Sequence, residues 1–501
     1  MLTYSFNNRN GRSLYEYLYT CIKEDILSGK LSPDAKLPSK RDFAKNHGIS
    51  VVTVENAYGQ LLAEGYIYSL PKKGFYVSDI KNDINNNIYL SAPKSSHIYN
   101  ETAITDSHNN NQSDKTYTYN TDIGNMHDAD CINLVSSHTP HDNFPFSIWA
   151  KLMRHVLTYE GDSTLNVPPT GGVMQLRQAI AKHLYEFRGI TVNPEQIIIG
   201  AGTEYLYGLI VQLLGRNISY GLENPSSKKI VNIYKSLGVK VNYLDMDEEG
   251  VIPDCQGLND SQIIQISPSH HFPTGIVTSI SRRYGLLQWA NQSPYRYIIE
   301  DDYDSEFRFT GRPIPTLQSI DRAGRVIYVN TFSRTLAPSL RISYMVLPKS
   351  LTERYRAQLG FYSSTVPAME QYTLARFLDE EYFEAHINRM RKSYRAQRDA
   401  VIDTILQSPL GEHCRVSGED AGLHFLLTID TKCTDHVLRA DAEGRGVRLS
   451  FLSDFALRPG SAPQHTLVIH YPGIDLGRLR SALSILEALL YFRDWKYKGR
   501  K

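Results

Sequence analysis

Tyr328-Val-Asn-Thr-Phe-Ser-Arg-Thr-Leu-Ala-Pro-Ser-Leu-Arg341 joins an apolar run to a polar turn, and its reading decides the fold. Val326 to Val329 predicts a short buried strand. The turn that follows carries hydroxyls at Thr331 and Ser333, then cations at Arg334 and Arg341. Neutral donors and a bidentate guanidinium gathered at the end of a strand are what a phosphate requires.

Working outward, apolar strand-like runs alternate with helical stretches, which predicts an α/β domain with a mainly parallel sheet. Ile197-Ile-Ile-Gly200 leads through Ala201-Gly-Thr-Glu204 into a helix carrying Leu206, Leu209, Val211 and Leu213. Glycines at such a turn leave backbone N–H groups open at a helix N-terminus, so Gly202 and Thr203 are expected to form the second side of an anion cup. Tyr295-Arg-Tyr-Ile-Ile-Glu-Asp301-Asp-Tyr303-Asp304 reads as a strand ending in acids, with Ser267-Pro-Ser-His-His-Phe-Pro-Thr-Gly275 upstream. A solvated acidic loop is the competing reading of that run.

The chain of 501 residues is too long for one core, and its length suggests roughly two to four domains. With 41% hydrophobic and 21% charged residues it has the composition of an ordinary globular protein. A net charge of +1 gives no whole-molecule field, so any contact with nucleic acid must be a local patch. Cysteines at 21, 131, 255, 414 and 433 lack CxxC spacing and read as free thiols, not as a metal site or a disulfide framework. Met1 to Ser13 is polar, and no apolar run approaches the roughly 20 residues that span a bilayer. A cytoplasmic protein without a membrane partner is expected.

Residues 1–80 read as a separate unit. Leu14, Tyr17, Leu18, Cys21, Ile22, Ile26 and Leu27 form a helical stripe that stops at Gly29. Ser39-Lys-Arg-Asp42 opens a short helix ending at Gly48. Ser50 opens a third, with inner face Val54, Ala57, Tyr58, Leu61 and Leu62, closed by Gly65. Tyr66–Leu70 and Phe75–Val77 are strand-like around the basic tip Pro71-Lys-Lys-Gly74. Two helices joined by a tight glycine turn, followed by a hairpin, predict a winged helix-turn-helix. From 81 to 130 periodicity disappears into Asn, Ser and Thr, with Asn runs at 85–87 and 109–111. That composition predicts a tether; at about 5–6 Å × √n it would span roughly 40 Å.

The pattern Leu37-Pro-Ser-Lys-Arg41, Val52-Thr-Val54, Ala57-Tyr58, Ala63-Glu-Gly65 and Lys73-Gly74-Phe75 resembles the GntR-type winged helix. The resemblance implies double-stranded DNA as partner, the third helix in the major groove and the wing on the backbone or minor groove. Its contact residues would be Ser39, Lys40, Arg41, Ser50, Thr53, Tyr58, Lys72, Lys73 and Gly74, with basic groups on phosphates and short polar groups on base edges. Charge alone supports only a solvated face, since nearby acids offset these cations.

Residues 131–501 are expected to form one domain, and from about Ile132 to Asp494 it resembles fold-type I aminotransferases in the form carried by MocR/GabR regulators: a large α/β domain with a smaller C-terminal α+β subdomain from about 390. Strands of the latter are expected near Gly422–Ile429, Val447–Phe451 and Leu467–Tyr471. The resemblance implies a pyridoxal 5'-phosphate (PLP) pocket with Asp301 on the pyridine nitrogen, Tyr303 on the ring oxygen, and Gly202, Thr203, Thr331, Ser333 and Arg341 around the phosphate. It implies a head-to-tail homodimer as well. The family's imine lysine stands here as Arg334. The family's Glu-Pro-Gly-Tyr-Arg-Arg run is Asn224-Pro-Ser-Ser-Lys-Lys229, putting Ser227 at the stacking tyrosine and Lys229 at a carboxylate arginine. A carboxylate-binding arginine near the C-terminus aligns with Gly473. Arginine stays protonated and forms no imine. The sequence therefore predicts a transcriptional regulator without catalytic residues, its pocket holding PLP non-covalently, holding another anionic effector, or empty in a purely structural domain. Arg334, Arg341 and Lys229 are the expected cations for such an effector, and His270 a further contact. The alternative is a PLP-dependent aminotransferase with an appended DNA-binding domain.

Overall fold

The computed structural model describes Tyr4 and residues 13–70, 73–78, 132–135, 143–309 and 314–493; Lys72 and the 81–130 tether lie outside them. Helices α1 (Leu14–Leu27), α2 (Lys40–His47) and α3 (Val51–Ala63) precede the hairpin of β1 (Ile67–Leu70) and β2 (Gly74–Val77). The local chemistry accounts for each boundary. Ser39 and Ser50 accept the N–H groups of Asp42 and Thr53 at 3.1 and 3.0 Å, and Gly48 ends α2 in the left-handed region at φ 64°. The buried stripe of α1 comprises Leu18, Tyr19, Ile22 and Ile26, meeting Val54, Ala57, Tyr58 and Leu61 of α3. Ile280, from the large domain, completes this core with no exposed surface, and its N–H donates to Glu64 O at 3.0 Å. The winged helix thus rests on the N-terminus of the helix Ile280–Asn291.

The large domain is built on β4 (Ile197–Gly200), β5 (Ser219–Asn224), β6 (Lys240–Asp247), β7 (Gly250–Val251), β8 (Ile263–Ile266), β9 (Tyr297–Asp301), β10 (Val326–Thr331) and β11 (Ser343–Val346). They form one sheet in the order β4-β11-β10-β9-β8-β5-β6-β7. Neighbours from β10 through β6 pair in parallel, while β11 and β7 run antiparallel to theirs. Near-continuous apolar strands such as Ile197-Ile-Ile and Ile263-Ile are what a sheet covered on both faces requires. The C-terminal ends of β4, β5, β8, β9 and β10 therefore gather on one edge, where open α/β sheets bind ligands.

The helix Tyr382–Leu406 leads into the smaller subdomain, whose sheet is β12 (Cys414–Ser417), β13 (His424–Ile429) and β15 (Thr466–His470). The expected strand at Val447–Phe451 is shorter. Val447–Arg448, β14, pairs in parallel with Ile132–Asn133, β3, and Phe451 bridges to Leu467. The segment entering the domain is thus stitched to its far end, packing Ile132 and Leu134 on the subdomain core.

Candidate functional site

A cavity of about 510 Å³ opens at that strand edge, between the sheet and the smaller subdomain. Thr203, Asp301, Tyr303, Thr331, Ser333, Arg334, Arg341, Ser227 and Lys229 line it together, although they come from well-separated stretches of chain. The acidic run is buried, not a solvated loop: Glu300, Asp302, Asp304 and Glu306 are each at most 4% exposed. Asp302 pairs with buried Arg188 at 2.9 Å and accepts the Tyr328 hydroxyl at 2.7 Å, so the floor is braced from beneath.

Asp301 sits at the end of β9. Its Oδ2 accepts the Tyr207 hydroxyl at 2.6 Å and the Gln265 amide at 3.4 Å, while its buried Oδ1 has no partner among the described residues. Burial pushes the carboxyl up to about 6, against the pull of the Tyr207 hydrogen bond. Beside it, Glu223 accepts the Ser267 N–H at 2.9 Å, and burial raises it to about 8. His424 and His470 also line the cavity; burial drives both down, His470 to about 4 with Arg334 and His270 adding to the effect. They are neutral imidazoles at pH 7.

At the opposite end, Gly202 caps the helix Thr203–Leu214 at φ 94°, and a Cβ there would strike the Arg341 guanidinium. Arg341 ion-pairs with Glu204, and Lys229 with the other oxygen of the same carboxylate. Burial favours the protonated acid, but the Lys229 and Arg341 interactions outweigh it and hold Glu204 below the usual carboxylate range. Thr331 is 7% exposed; its hydroxyl accepts the Ser333 N–H at 3.1 Å and the Ser343 hydroxyl at 2.8 Å. Arg334 is half-buried in the cavity, and no acid pairs with it among the described residues.

Three expectations need correction. His270 does not line the cavity: its Nδ1 bonds Asp304 at 2.9 Å and Tyr303 at 3.3 Å, and its ring lies under Gly422, where a Cβ would collide with it. Tyr58 is fully buried with its hydroxyl on Pro38 O at 3.1 Å, so it belongs to the winged-helix core and not to its surface. Arg341 and Lys229 are not unpaired cations, because Glu204 pairs with both, although all three side chains remain accessible to solvent. Sequence reasoning missed Glu204, Tyr207, Gln265, Glu223, His424 and His470. An acid in a first helical turn reads as an ordinary dipole complement, and the others carry no local motif.

On the winged helix, Ser39, Arg41 and Ser50 are exposed, with Thr53 half-buried beside them at the N-terminal ends of α2 and α3. Lys40 pairs with Glu55 at 2.6 Å. Lys73 is exposed at the hairpin, where Gly74 takes φ 110° opposite Leu70.

PLP fits this cavity at one end only. The orphaned Asp301 Oδ1 suits a protonated ring nitrogen. Among the described lining residues the sole lysine is Lys229, already paired, and the cations of the phosphate end already face a carboxylate.

The fold and site define a winged-helix protein fused to an aminotransferase-like domain. Residues 14–77 match the family "Bacterial regulatory proteins, gntR family", and residues 129–438 match "Aminotransferase class I and II". The chain belongs to the family of helix-turn-helix transcriptional regulators that combine these two domains. It is 37% identical over 95% of its length to "Uncharacterized HTH-type transcriptional regulator YdeL" of Bacillus subtilis, covering 96% of that protein. It is also 31% identical over 95% of its length to "Probable rhizopine catabolism regulatory protein MocR" of Rhizobium meliloti, covering 93% of it. Among solved structures, Pyrococcus horikoshii kynurenine aminotransferase superposes with a TM-score of 0.63 at 22% identity, covering 72% of this chain and 92% of that one, a likeness of fold. Among the described residues no helix is long and apolar enough to cross a membrane.

Proposed function

We propose that this regulator reads double-stranded DNA in the cytoplasm with its winged helix, and that its aminotransferase-like domain is a non-catalytic sensor of a small anionic molecule. The observation that carries the sensor reading is Arg334. Arg334 puts a permanently charged guanidinium in the cavity, at the position that the family resemblance gives to the imine lysine, and no acid neutralises it among the described residues. PLP, if it enters, is held without a covalent bond. The alternative, an aminotransferase with a DNA-binding appendage, lacks its nucleophile.

A head-to-tail homodimer is supported by exposed apolar side chains on the large domain. Leu165, Val167 and Phe361 are 83, 73 and 77% exposed, and the Thr170 hydroxyl donates to Gly360 O at 2.8 Å, joining the two segments. Two readers on one dimer suit repeated half-sites. Effector binding shifts the arrangement of the readers only by its differential affinity for the two arrangements.

The test is binding to duplexes selected from a random library, measured across salt concentration. Affinity should fall steeply with salt, and Arg41→Ala should weaken binding to all selected duplexes and reduce the log–log salt slope by about 1. An unchanged slope removes Arg41 from the interface. Failure of the wild-type chain to select any duplex refutes the regulator reading.

A further inference from the structure

The anion cup already holds an anion, and it is part of the chain. Glu204 lies in the first turn of the helix Thr203–Leu214, where its carboxylate meets the positive end of the helix dipole. One of its oxygens takes Lys229 and the other takes Arg341. The Arg341 guanidinium lies against Gly202, the cap residue of that helix. Thr331 adds nothing free, because its hydroxyl is committed to Ser333 and Ser343. Both cations of a phosphate cradle are thus engaged by an acid of the chain itself, and the Thr331 hydroxyl is bonded as well.

The Glu204, Lys229 and Arg341 side chains are 33, 69 and 46% exposed, so water and solutes reach them. A phosphate is not blocked sterically. It competes instead with a carboxylate tethered by its own backbone, whose effective concentration is of millimolar order or more. It also brings about two negative charges to within a few ångströms of a third.

The other end of the cavity has the opposite character. Arg334 has no acidic partner among the described residues and stands near Tyr303 and His470. A single guanidinium presents a planar fork that matches a carboxylate with two parallel hydrogen bonds, whereas a phosphate dianion needs more than one cation to be neutralised.

Building on the sensor reading, we propose that Glu204 is a built-in counter-ion that excludes phosphate monoesters, PLP included, and leaves Arg334 to select a carboxylate ligand. The chain has in effect converted a phosphate cup into an internal salt bridge, shifting specificity to the residue that replaced the imine lysine.

The test uses the full-length protein and three probes: inorganic phosphate, PLP, and pyridoxal, which lacks the phosphate. In calorimetric titrations the wild type should bind PLP no more than about threefold tighter than pyridoxal, because the phosphate gains nothing on entry. Glu204→Gln, which keeps the shape and removes the charge, should raise affinity for inorganic phosphate and for PLP by about tenfold or more while leaving pyridoxal unchanged. Adding Arg341→Ala to Glu204→Gln should abolish that gain. Glu204→Asp, which keeps the charge, should behave as wild type and guards against a folding artefact. A wild type that already prefers PLP to pyridoxal by more than about tenfold overturns the proposal. So does a Glu204→Gln variant whose phosphate affinity is unchanged or lower. Duplex binding measured on the same samples separates the two levels: intact DNA binding with unchanged phosphate affinity sinks the role of Glu204 alone, and absent DNA binding sinks the regulator reading.

Discussion

Replacing Ile280 by aspartate should release the winged helix from the large domain. Ile280 is fully buried in a core otherwise built from the three helices of the winged helix, Leu37 and the wing, and Ile280 N–H donates to Glu64 O at 3.0 Å. Glu64 in turn accepts the Tyr19 hydroxyl at 2.6 Å, and Gly65 approaches Ser279 so closely that a Cβ would lie 3.1 Å from the Ser279 Cβ. Losing the isoleucine side chain costs about 1.5–3 kcal/mol of apolar burial. Burying a carboxylate with no partner in its place adds at least about 2 kcal/mol. A shift of about 4 kcal/mol moves the docking equilibrium by roughly three powers of ten. Hydrogen exchange reads this directly at Tyr66 and Ser78, whose N–H groups bond Leu61 O and Tyr66 O beside the contact. Those amides should lose protection in Ile280→Asp while the strands of the large sheet keep theirs. Ile280→Ala should show a smaller loss of the same kind. Unchanged protection and an unchanged unfolding transition of the winged helix would refute the contact.

Two further outcomes follow from the buried acids and from Arg334. Glu306 is 4% exposed with an unpartnered Oε2, and burial raises it to about 8, so the folded chain keeps a proton that the unfolded chain releases above about 4.5. Stability therefore falls as pH rises from about 4.5 toward 8, by up to about 1.4 kcal/mol per pH unit from this group. Glu306→Gln should flatten the urea-midpoint profile over that window without abolishing the slope, since Glu300, Glu223 and Asp301 shift in the same direction; a parallel profile contradicts the assignment. Arg334→Lys places an amine in the cavity and should yield a borohydride-fixable adduct with PLP, strengthened by Glu204→Gln in the same chain. Absence of an adduct in the double variant would mean that residue 334 does not face the aldehyde.

The helices of the winged helix were legible because their signals are local, although Leu62, expected on the inner face of α3, is 41% exposed. Ser39, Gly48, Ser50 and Gly65 act within one helical turn of themselves, and the α3 stripe repeats at helical spacing. That same spacing assigns Tyr58 to the inner face with Val54, Ala57 and Leu61, and the structure gives the stripe precedence over the contact motif. In the large domain, strand runs ending in Asp301 and Thr331 located the cavity, since the ends of parallel strands gather on one edge. What completes the cavity is non-local. Tyr207 reaches Asp301 across 94 residues, and Arg341 reaches Glu204 across 137. His424 and His470 come from the smaller subdomain, whose β14 is paired by a strand more than 300 residues earlier. Periodicity carries no information about such meetings, so the cup read as an open anion site until Glu204 was seen inside it.

The most direct measurement mixes the purified wild-type chain with PLP, reduces with borohydride, and maps any adduct by mass spectrometry. On the proposed reading, in which Arg334 stands at the imine-lysine position, no reduced adduct forms on any cavity residue. A stable adduct on Lys229, the one lysine among the cavity-lining residues, would contradict it and restore the aminotransferase reading.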